Sequence, residues 1–417
     1  MKQIKIEGNH ILEGEIKISG AKNSAVALIP ASLLSDGIVK IDNVPDISDV
    51  DALDEILTYL GADVKRQEGT IEIDSSKIQN KEIPENISKK LRASYYFMSA
   101  LLAKFKKVEM YFPGGCNIGS RPIDQTLKAF RLLGAEVIEE ENKYTITAKE
   151  LIGNNIYLDM PSVGATINAM LVAVRAKGKT NIYNAAKEPE IVSIATFLNQ
   201  MGAKILGAGT NRIEIVGVDK LDSCFTEVIP DRIEAGTYII AGAMTGKNLK
   251  ITNIIPEHIE SLTTKMQEMG CDIKIGEDYV IVSKRENLKP VKIQTQGYPG
   301  FATDLQQPIT ALLTMCNGLS TLEETIYENR FNNVKYLNKM GASIIIEGRK
   351  IFVNGPTLLS GKKVEATDLR AGACMVVAAL AAQGETTITS IEYVLRGYEK
   401  IIEKLTNVGA KIELQDI

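Results

Sequence analysis

Tryptophan is absent from this 417-residue chain, and histidine occurs only twice, at His10 and His258. So small a supply of imidazole argues against histidine-based acid–base catalysis and all but excludes zinc chemistry. The five cysteines fall at no metal-ligand spacing and suit a reducing cytoplasm. No apolar run approaches the roughly 20 residues of a membrane span. The longest covers 374–382, and the first ten residues are polar and alternating, unlike a signal segment. Basic excess is missing too: the net charge is −4, which argues against a nucleic-acid partner. No cofactor and no metal are expected.

What the chain does have is a phrase used six times: apolar residue, glycine, small residue, polar residue. It occurs around Gly61, Gly134, Gly202, Gly270, Gly341 and Gly409, with separations of 73, 68, 68, 71 and 68 residues. Repetition on this scale decides the fold. Each glycine follows an amphipathic helical pattern, as in Ile191, Ile194, Ala195 and Leu198, and precedes an alternating, strand-like stretch. A left-handed C-cap is the conformation that calls for glycine there.

A second helical pattern also recurs six times, at 21–34, 91–103, 164–176, 235–245, 304–316 and 369–382. It is alanine-rich and apolar almost all round, so these helices are buried. Each repeat therefore reads as buried helix, strand, surface helix, strand, strand. The fold class is α/β, with three repeats sharing one core, helices inside and sheets outside. A chain of this length needs two cores. The predicted domains are residues 22–229, inserted, and residues 1–21 with 230–417. The opening segment, at 3–6 and 15–19, is expected to complete the sheet of the last repeat.

The buried helices begin with polar residues: Lys22 and Asn23, Arg92, Ser162 to Thr166, Asp231 to Glu234, Asp304, and Asp368 with Arg370. If these helices run parallel, their N-termini form an anion site, to which Lys22, Arg92 and Arg370 add full charge. Any one such side chain could instead simply snorkel to the surface. The repeat pattern breaks at 111–124, where three glycines surround Cys116 before Arg121 and Pro122. Arg121 there would lower the thiol pKa or hold an anion beside it. The alternative for Cys116 is a small residue in a turn. Cys224, Cys271, Cys316 and Cys374 sit in helix, strand or cap contexts and read as packing.

Taken in order, the segments 18–23, 91–94, 113–122, 162–166, 230–234, 303–304, 328–331, 366–370 and 396–399 resemble the enolpyruvyl transferase family over the whole chain. The resemblance is closest to members that act on a nucleotide sugar. It implies the two-domain inside-out α/β barrel, with the active site in the cleft between domains. It also implies transfer of the enolpyruvyl group of phosphoenolpyruvate to the 3′-hydroxyl of UDP-N-acetylglucosamine, through a tetrahedral ketal, at the first committed step of peptidoglycan synthesis.

By that resemblance Lys22, Arg121 and Arg396 contact phosphoenolpyruvate at its phosphate end, Arg330 and Arg370 take its carboxylate, and Asn23 is a further contact to it. Cys116 is the proton donor on a closing loop, and Asp304 is the base near the sugar hydroxyl. Lys22 and Arg396 also count among the catalytic groups. The sugar nucleotide is met by Asn23, Arg92, Arg121, Pro122, Ile123, Asp124, Gln125, Ser162, Val163, Gly164, Asp304 and the backbone of Ile326. A carboxylate such as Asp304 or Asp368 could also simply cap its helix, and Arg330 could pair with Glu328. Two departures from the family pattern stand out. Met160-Pro161 lacks a lysine that some members carry, and Tyr393-Val394-Leu395 replaces a histidine–isoleucine–aspartate stretch before Arg396. The alternatives are the relative that uses shikimate 3-phosphate as acceptor, and a non-catalytic repeat scaffold.

Overall fold

The computed structural model describes residues 2–114 and 123–416. The chain forms two compact units, one from residues 2–19 and 230–416, the other from 20–114 and 123–229. All six repeat glycines adopt positive φ, between 88° at Gly270 and 110° at Gly341. A side chain there would be strained, so the recurring phrase is a backbone requirement.

In the 20–229 unit the inner helices are Lys22–Ala31, Tyr95–Phe105 and Val163–Ala173, and the outer ones are Ser48–Leu60, Asp124–Leu132 and Pro189–Gln200. The inner helix Val163–Ala173 is buried throughout from Ala165 onward. Truncating one such side chain, for example Ile167→Ala, costs about 2–5 kcal/mol. Two four-stranded sheets and one three-stranded sheet lie outside these helices. The other unit repeats the plan with inner helices Arg232–Thr245, Thr303–Leu313 and Leu369–Ala381, which pack on one another in all three pairs inside three four-stranded sheets. Small residues permit the close approach. A Cβ on Gly236 would stand 2.7 Å from a methyl of Leu305 on the neighbouring helix. Each unit has its own hydrophobic core.

The strands before and after an inner helix lie side by side and parallel. Asn155–Tyr157 pairs with Lys179–Tyr183, Lys292–Gln294 with Gly318–Glu323, and Lys363–Glu365 with Glu385–Thr389. At the two points where the chain passes between units the partners are exchanged. Cys224–Glu227 pairs with Ile38–Asp42, and Glu15–Lys17 pairs with Leu249–Thr252. This corrects the expectation for the opening segment. Lys2–Glu7 does join the last repeat's sheet, between Glu385–Thr389 and Lys411–Asp416, but Glu15–Lys17 joins the sheet of the fourth repeat. A parallel strand must end where an inner helix begins, and the helix that follows Glu15–Lys17 in sequence belongs to the other unit. The C-terminal ends of these parallel strands and the N-termini of the inner helices share one end of each repeat, the end at which α/β proteins place ligands.

Candidate active site

In the 230–416 unit the inner-helix starts converge. Asp304, second residue of Thr303–Leu313, accepts hydrogen bonds from Arg330 Nη2 at 2.6 Å and from Arg370 Nη2 at 2.9 Å. The Arg330 and Arg370 side chains are 4% and 5% exposed, and that of Asp304 is 24% exposed. Burial would raise the Asp304 carboxyl, but the charges and hydrogen bonds of Arg370 and Arg330 overcome this and hold it well below the usual carboxylate range. Arg370 Nη1 donates to the Tyr398 hydroxyl at 3.1 Å, and that hydroxyl lies 2.9 Å from Thr237 Oγ1. Thr237 already donates to Ile233 O, so the tyrosine proton points to the threonine. Arg370, Tyr398 and Thr237 thus connect two inner helices.

Two alternative readings of these residues are not met. Asp304 does not cap its helix: the N-cap is Ala302, with no side-chain cap bond. Two charge-assisted bonds from guanidinium groups are worth more to the carboxylate than neutral N–H groups. Arg330 does not pair with Glu328, which instead meets Arg349 at 3.1 Å. Asp368 does cap, accepting from the N–H groups of Arg370 and Ala371, and Asp231 does the same for Ile233 and Glu234.

Arg396 is half-buried and follows the short helix Glu392–Leu395. The departure at Tyr393-Val394-Leu395 is accommodated by packing. Val394 is fully buried, and a Cβ on Gly372, in the inner helix just after Arg370, would stand 2.4 Å from its methyl. Nearby, Lys404 Nζ donates to Glu234 at 2.6 Å and to Ser19 Oγ at 2.7 Å, while Ser19 N donates to the other Glu234 oxygen at 2.9 Å. Burial pushes Glu234 up to about 7 against the pull of Lys404. The Ser19 hydroxyl also meets Glu399. Ile326 is exposed, and its N–H donates to Glu324 at 2.8 Å.

In the 20–229 unit Lys22, first residue of its inner helix, pairs with the buried Asp49 at 2.7 Å. Asn23 beside it is half-buried. Arg92 lies over the ring of Tyr95, 5.9 Å from its centroid, on the turn that leads into Tyr95–Phe105. The Tyr95 hydroxyl reaches the next inner-helix start, where a Cβ on Gly164 would stand 1.9 Å from it. Any larger residue at 164 would have to displace the Tyr95 hydroxyl. Ser162 caps this helix by accepting from Ala165 N at 3.3 Å, and Val163 and Gly164 present the first turn. Ile123 is buried at the start of Asp124–Leu132. Asp124 accepts from Gln125, and Gln125 is tied to Asp159 in both directions, donating to its carboxylate at 3.0 Å and accepting from its N–H at 2.9 Å. Met160, at the other departure, is 61% exposed.

Cys116, Arg121 and Pro122 lie outside the described residues. The other four thiols are held protonated by burial, Cys224 and Cys316 at about 11 and Cys271 and Cys374 at about 12. Among the described residues no cluster of His, Cys, Asp and Glu could hold a metal, and no helix is long and apolar enough to cross a membrane. Sequence reasoning passed over Asp49, Tyr95, Tyr398 and Glu324. Tyr95 directly follows the Leu91–Ser94 segment, and Tyr398 lies within the 396–399 segment, so both stood beside a visible signal. Nothing local marked Asp49 or Glu324.

Comparison with known proteins agrees with this geometry. Residues 6–405 match the family model for EPSP synthase (3-phosphoshikimate 1-carboxyvinyltransferase). The chain is 52% identical over 412 residues to UDP-N-acetylglucosamine 1-carboxyvinyltransferase 2 of Geobacillus kaustophilus, covering 99% of this chain and 96% of the relative. It is equally similar, over 413 residues and with the same coverage, to the protein of that name from Bacillus subtilis. Among solved structures, the enolpyruvyl transferase NikO from Streptomyces tendae superposes with a TM-score of 0.90 at 26% identity, covering 99% of both chains. EPSP synthase from Acinetobacter baumannii shares the fold, with a TM-score of 0.77 at 18% identity over the whole of both chains. The repeat plan, the clustered basic helix starts and these matches along nearly the full length place the chain in the EPSP synthase family of carboxyvinyltransferases.

Proposed function

We propose that this enzyme transfers the enolpyruvyl group of phosphoenolpyruvate to the 3′-hydroxyl of UDP-N-acetylglucosamine and releases phosphate, a reading supported by its 52%-identical relatives, which are named as 1-carboxyvinyltransferases of UDP-N-acetylglucosamine. The single observation that carries the reading is the pair of buried arginines converging on one carboxylate. Arg330 and Arg370 supply two fixed forks for a planar carboxylate, the geometry in which arginine recognises that group best. The proposed domains are residues 22–229 and residues 1–21 with 230–417. The reaction is the first committed step of peptidoglycan synthesis and takes place in the cytoplasm. No nucleic acid takes part.

In this reading the carboxylate of phosphoenolpyruvate binds Arg330 and Arg370, its phosphate binds Lys22, Arg121 and Arg396, and Asn23 is a further contact to it. Arg92, residues 121–125, Ser162 to Gly164 and the Ile326 carbonyl hold the nucleotide sugar. Cys116 gives a proton to C3, the sugar oxygen bonds to C2, and Asp304 takes the hydroxyl proton. The resulting ketal then loses a C3 proton and phosphate. Preorganised positive charge is the largest expected contribution. While both its oxygens face guanidinium groups, Asp304 is a poor proton acceptor. Arrival of the donor's carboxylate redirects those groups and restores the basicity of Asp304.

Phosphate release measured with each acceptor tests the assignment. Turnover is expected with UDP-N-acetylglucosamine and none with shikimate 3-phosphate; the reverse would overturn it. Cys116→Ala should lose about 10²- to 10⁴-fold in turnover, the range of one acid–base group, while Cys116→Asp retains activity. The epoxide fosfomycin should add its mass to Cys116, and an unmodified Cys116 peptide after inactivation would contradict the role given to that thiol.

A further inference from the structure

The six repeats differ at the first residue after the strand that follows the inner helix: three have asparagine there, and the others have Phe112, Glu324 and Ser390. In three repeats this residue is a left-handed asparagine, Asn43, Asn184 or Asn253, with φ between 54° and 56°. Each donates through Nδ2 to the carbonyl just past the neighbouring parallel strand, at Val228, Leu158 and Ile18 respectively, at 2.7–2.8 Å. After Gly318–Glu323 the residue is Glu324, and its burial is complete. The carbonyl that an asparagine would serve, that of Thr295, is met instead by the Thr325 hydroxyl. Glu324 is therefore released from the task that Asn43, Asn184 and Asn253 perform.

Its carboxylate gathers four donors. Oε1 accepts from Thr295 Oγ1 at 2.9 Å, from Ile326 N at 2.8 Å and from Tyr327 N at 3.1 Å. Oε2 accepts from Thr303 Oγ1 at 2.7 Å. Thr303 Oγ1 in turn accepts from Arg330 Nη1 at 2.7 Å, while Arg330 Nη2 holds Asp304. The Tyr327 ring lies 5.1 Å from the Arg330 guanidinium. Arg330 is thus oriented by Glu324 along two routes, one through the Thr303 hydroxyl and one through the Tyr327 backbone. The same carboxylate fixes the peptide at Ile326. A group that only accepts is required, because every neighbour presents a hydrogen.

We infer that Glu324 is a positioning residue that aims Arg330 through Thr303 and sets the Ile326 loop, coupling the phosphoenolpyruvate end of the site to the sugar end. This rests on the reading of Arg330 and Ile326 as contacts to the two substrates. Thr303→Val is nearly isosteric and cuts only the route to Arg330. Its KM for phosphoenolpyruvate should rise about tenfold, the size of one hydrogen bond to a charged group, with the KM for UDP-N-acetylglucosamine unchanged. Thr303→Ser should restore the wild-type value. Glu324→Gln should raise at least one of the two KM values, because its single carbonyl oxygen cannot serve the donors on both routes and its NH₂ opposes those on the other. A purely structural Glu324 would lower the melting temperature and leave both KM values in place, and that outcome overturns the inference. Should Glu324→Gln fail to fold, the Thr303 pair decides alone: equal KM for phosphoenolpyruvate in Thr303→Val and Thr303→Ser also overturns it. Absence of phosphate release by the wild-type enzyme would overturn the functional reading itself, which separates the two failures.

Discussion

The inner-helix starts of the 230–416 unit and those of the 20–229 unit stand on the same scaffold but handle charge differently. In the first, guanidinium groups are buried and paired with the carboxylate of a neighbouring inner helix, as Arg330 and Arg370 are with Asp304. In the second, Lys22 meets a carboxylate from an outer helix, Arg92 lies against an aromatic ring, and the Ser162-capped helix start at Val163-Gly164 lies against the Tyr95 hydroxyl. Rigid forks suit a small planar anion whose position must be exact to a fraction of an ångström. A point charge and backbone N–H groups suit phosphates, which are rounder and tolerate several approaches. Repetition supplied one frame, and under the proposed function the two halves serve two kinds of anion.

That contrast can be broken most severely at the forks. Arg370→Met or Arg330→Met should lower kcat/KM for phosphoenolpyruvate by about 10²- to 10³-fold, as loss of a preorganised charge does in other active sites. Steady-state phosphate release measures it, and a loss below tenfold would argue that the donor's carboxylate sits elsewhere.

Asp304→Asn should reduce stability by about 3 kcal/mol near neutral pH, because two buried cations lose their counter-charge. The pH dependence has a definite sign. The Asp304 carboxyl is depressed in the folded state. Its contribution is therefore fully present above the ordinary carboxyl value and is lost as pH falls toward the folded one. The stability gap between wild type and variant, read by urea unfolding, should be flat from about pH 8 to 5 and narrow below about pH 4.

Gly164→Ala pushes a methyl into the Tyr95 hydroxyl and should cost about 1–3 kcal/mol. It should also raise the KM for the nucleotide sugar. In a Tyr95→Phe background part of both effects should disappear, and a strictly additive double mutant would show that the contact does not matter. Asp49→Asn should lower kcat/KM for phosphoenolpyruvate by about tenfold, since Lys22 loses one charged partner. At the far end of the scale, Lys65→Met removes a pair with Glu72 that is 69% and 40% exposed. Thermal unfolding should detect less than about 1 kcal/mol for it.

Much of the scaffold was readable because it is local. A glycine that must take positive φ announces itself, and an alanine-rich helix without a polar face can only be inside. The exchange of Glu15–Lys17 into the fourth repeat's sheet was not readable, because strand partners depend on which unit the next helix enters. The same divide runs through the site. Lys22, Arg92, Asp304, Arg330 and Arg370 were visible as polar or charged residues in motifs. Their partners were not, and the alternatives nearest in sequence, Glu328 for Arg330 and a cap for Asp304, are not what the structure shows.

By itself, then, the amino-acid order determined the six-fold repeat, the inside-out layering and the gathering of basic residues at inner-helix starts, since each follows from periodicity and from what a backbone conformation permits. Only the tertiary structure decided which charge meets which. Asp304 lies 26 residues from Arg330 and 66 from Arg370, and Lys404 lies 170 from Glu234. A buried ion takes the partner that packing brings within 3 Å, and sequence separation has no say in that choice.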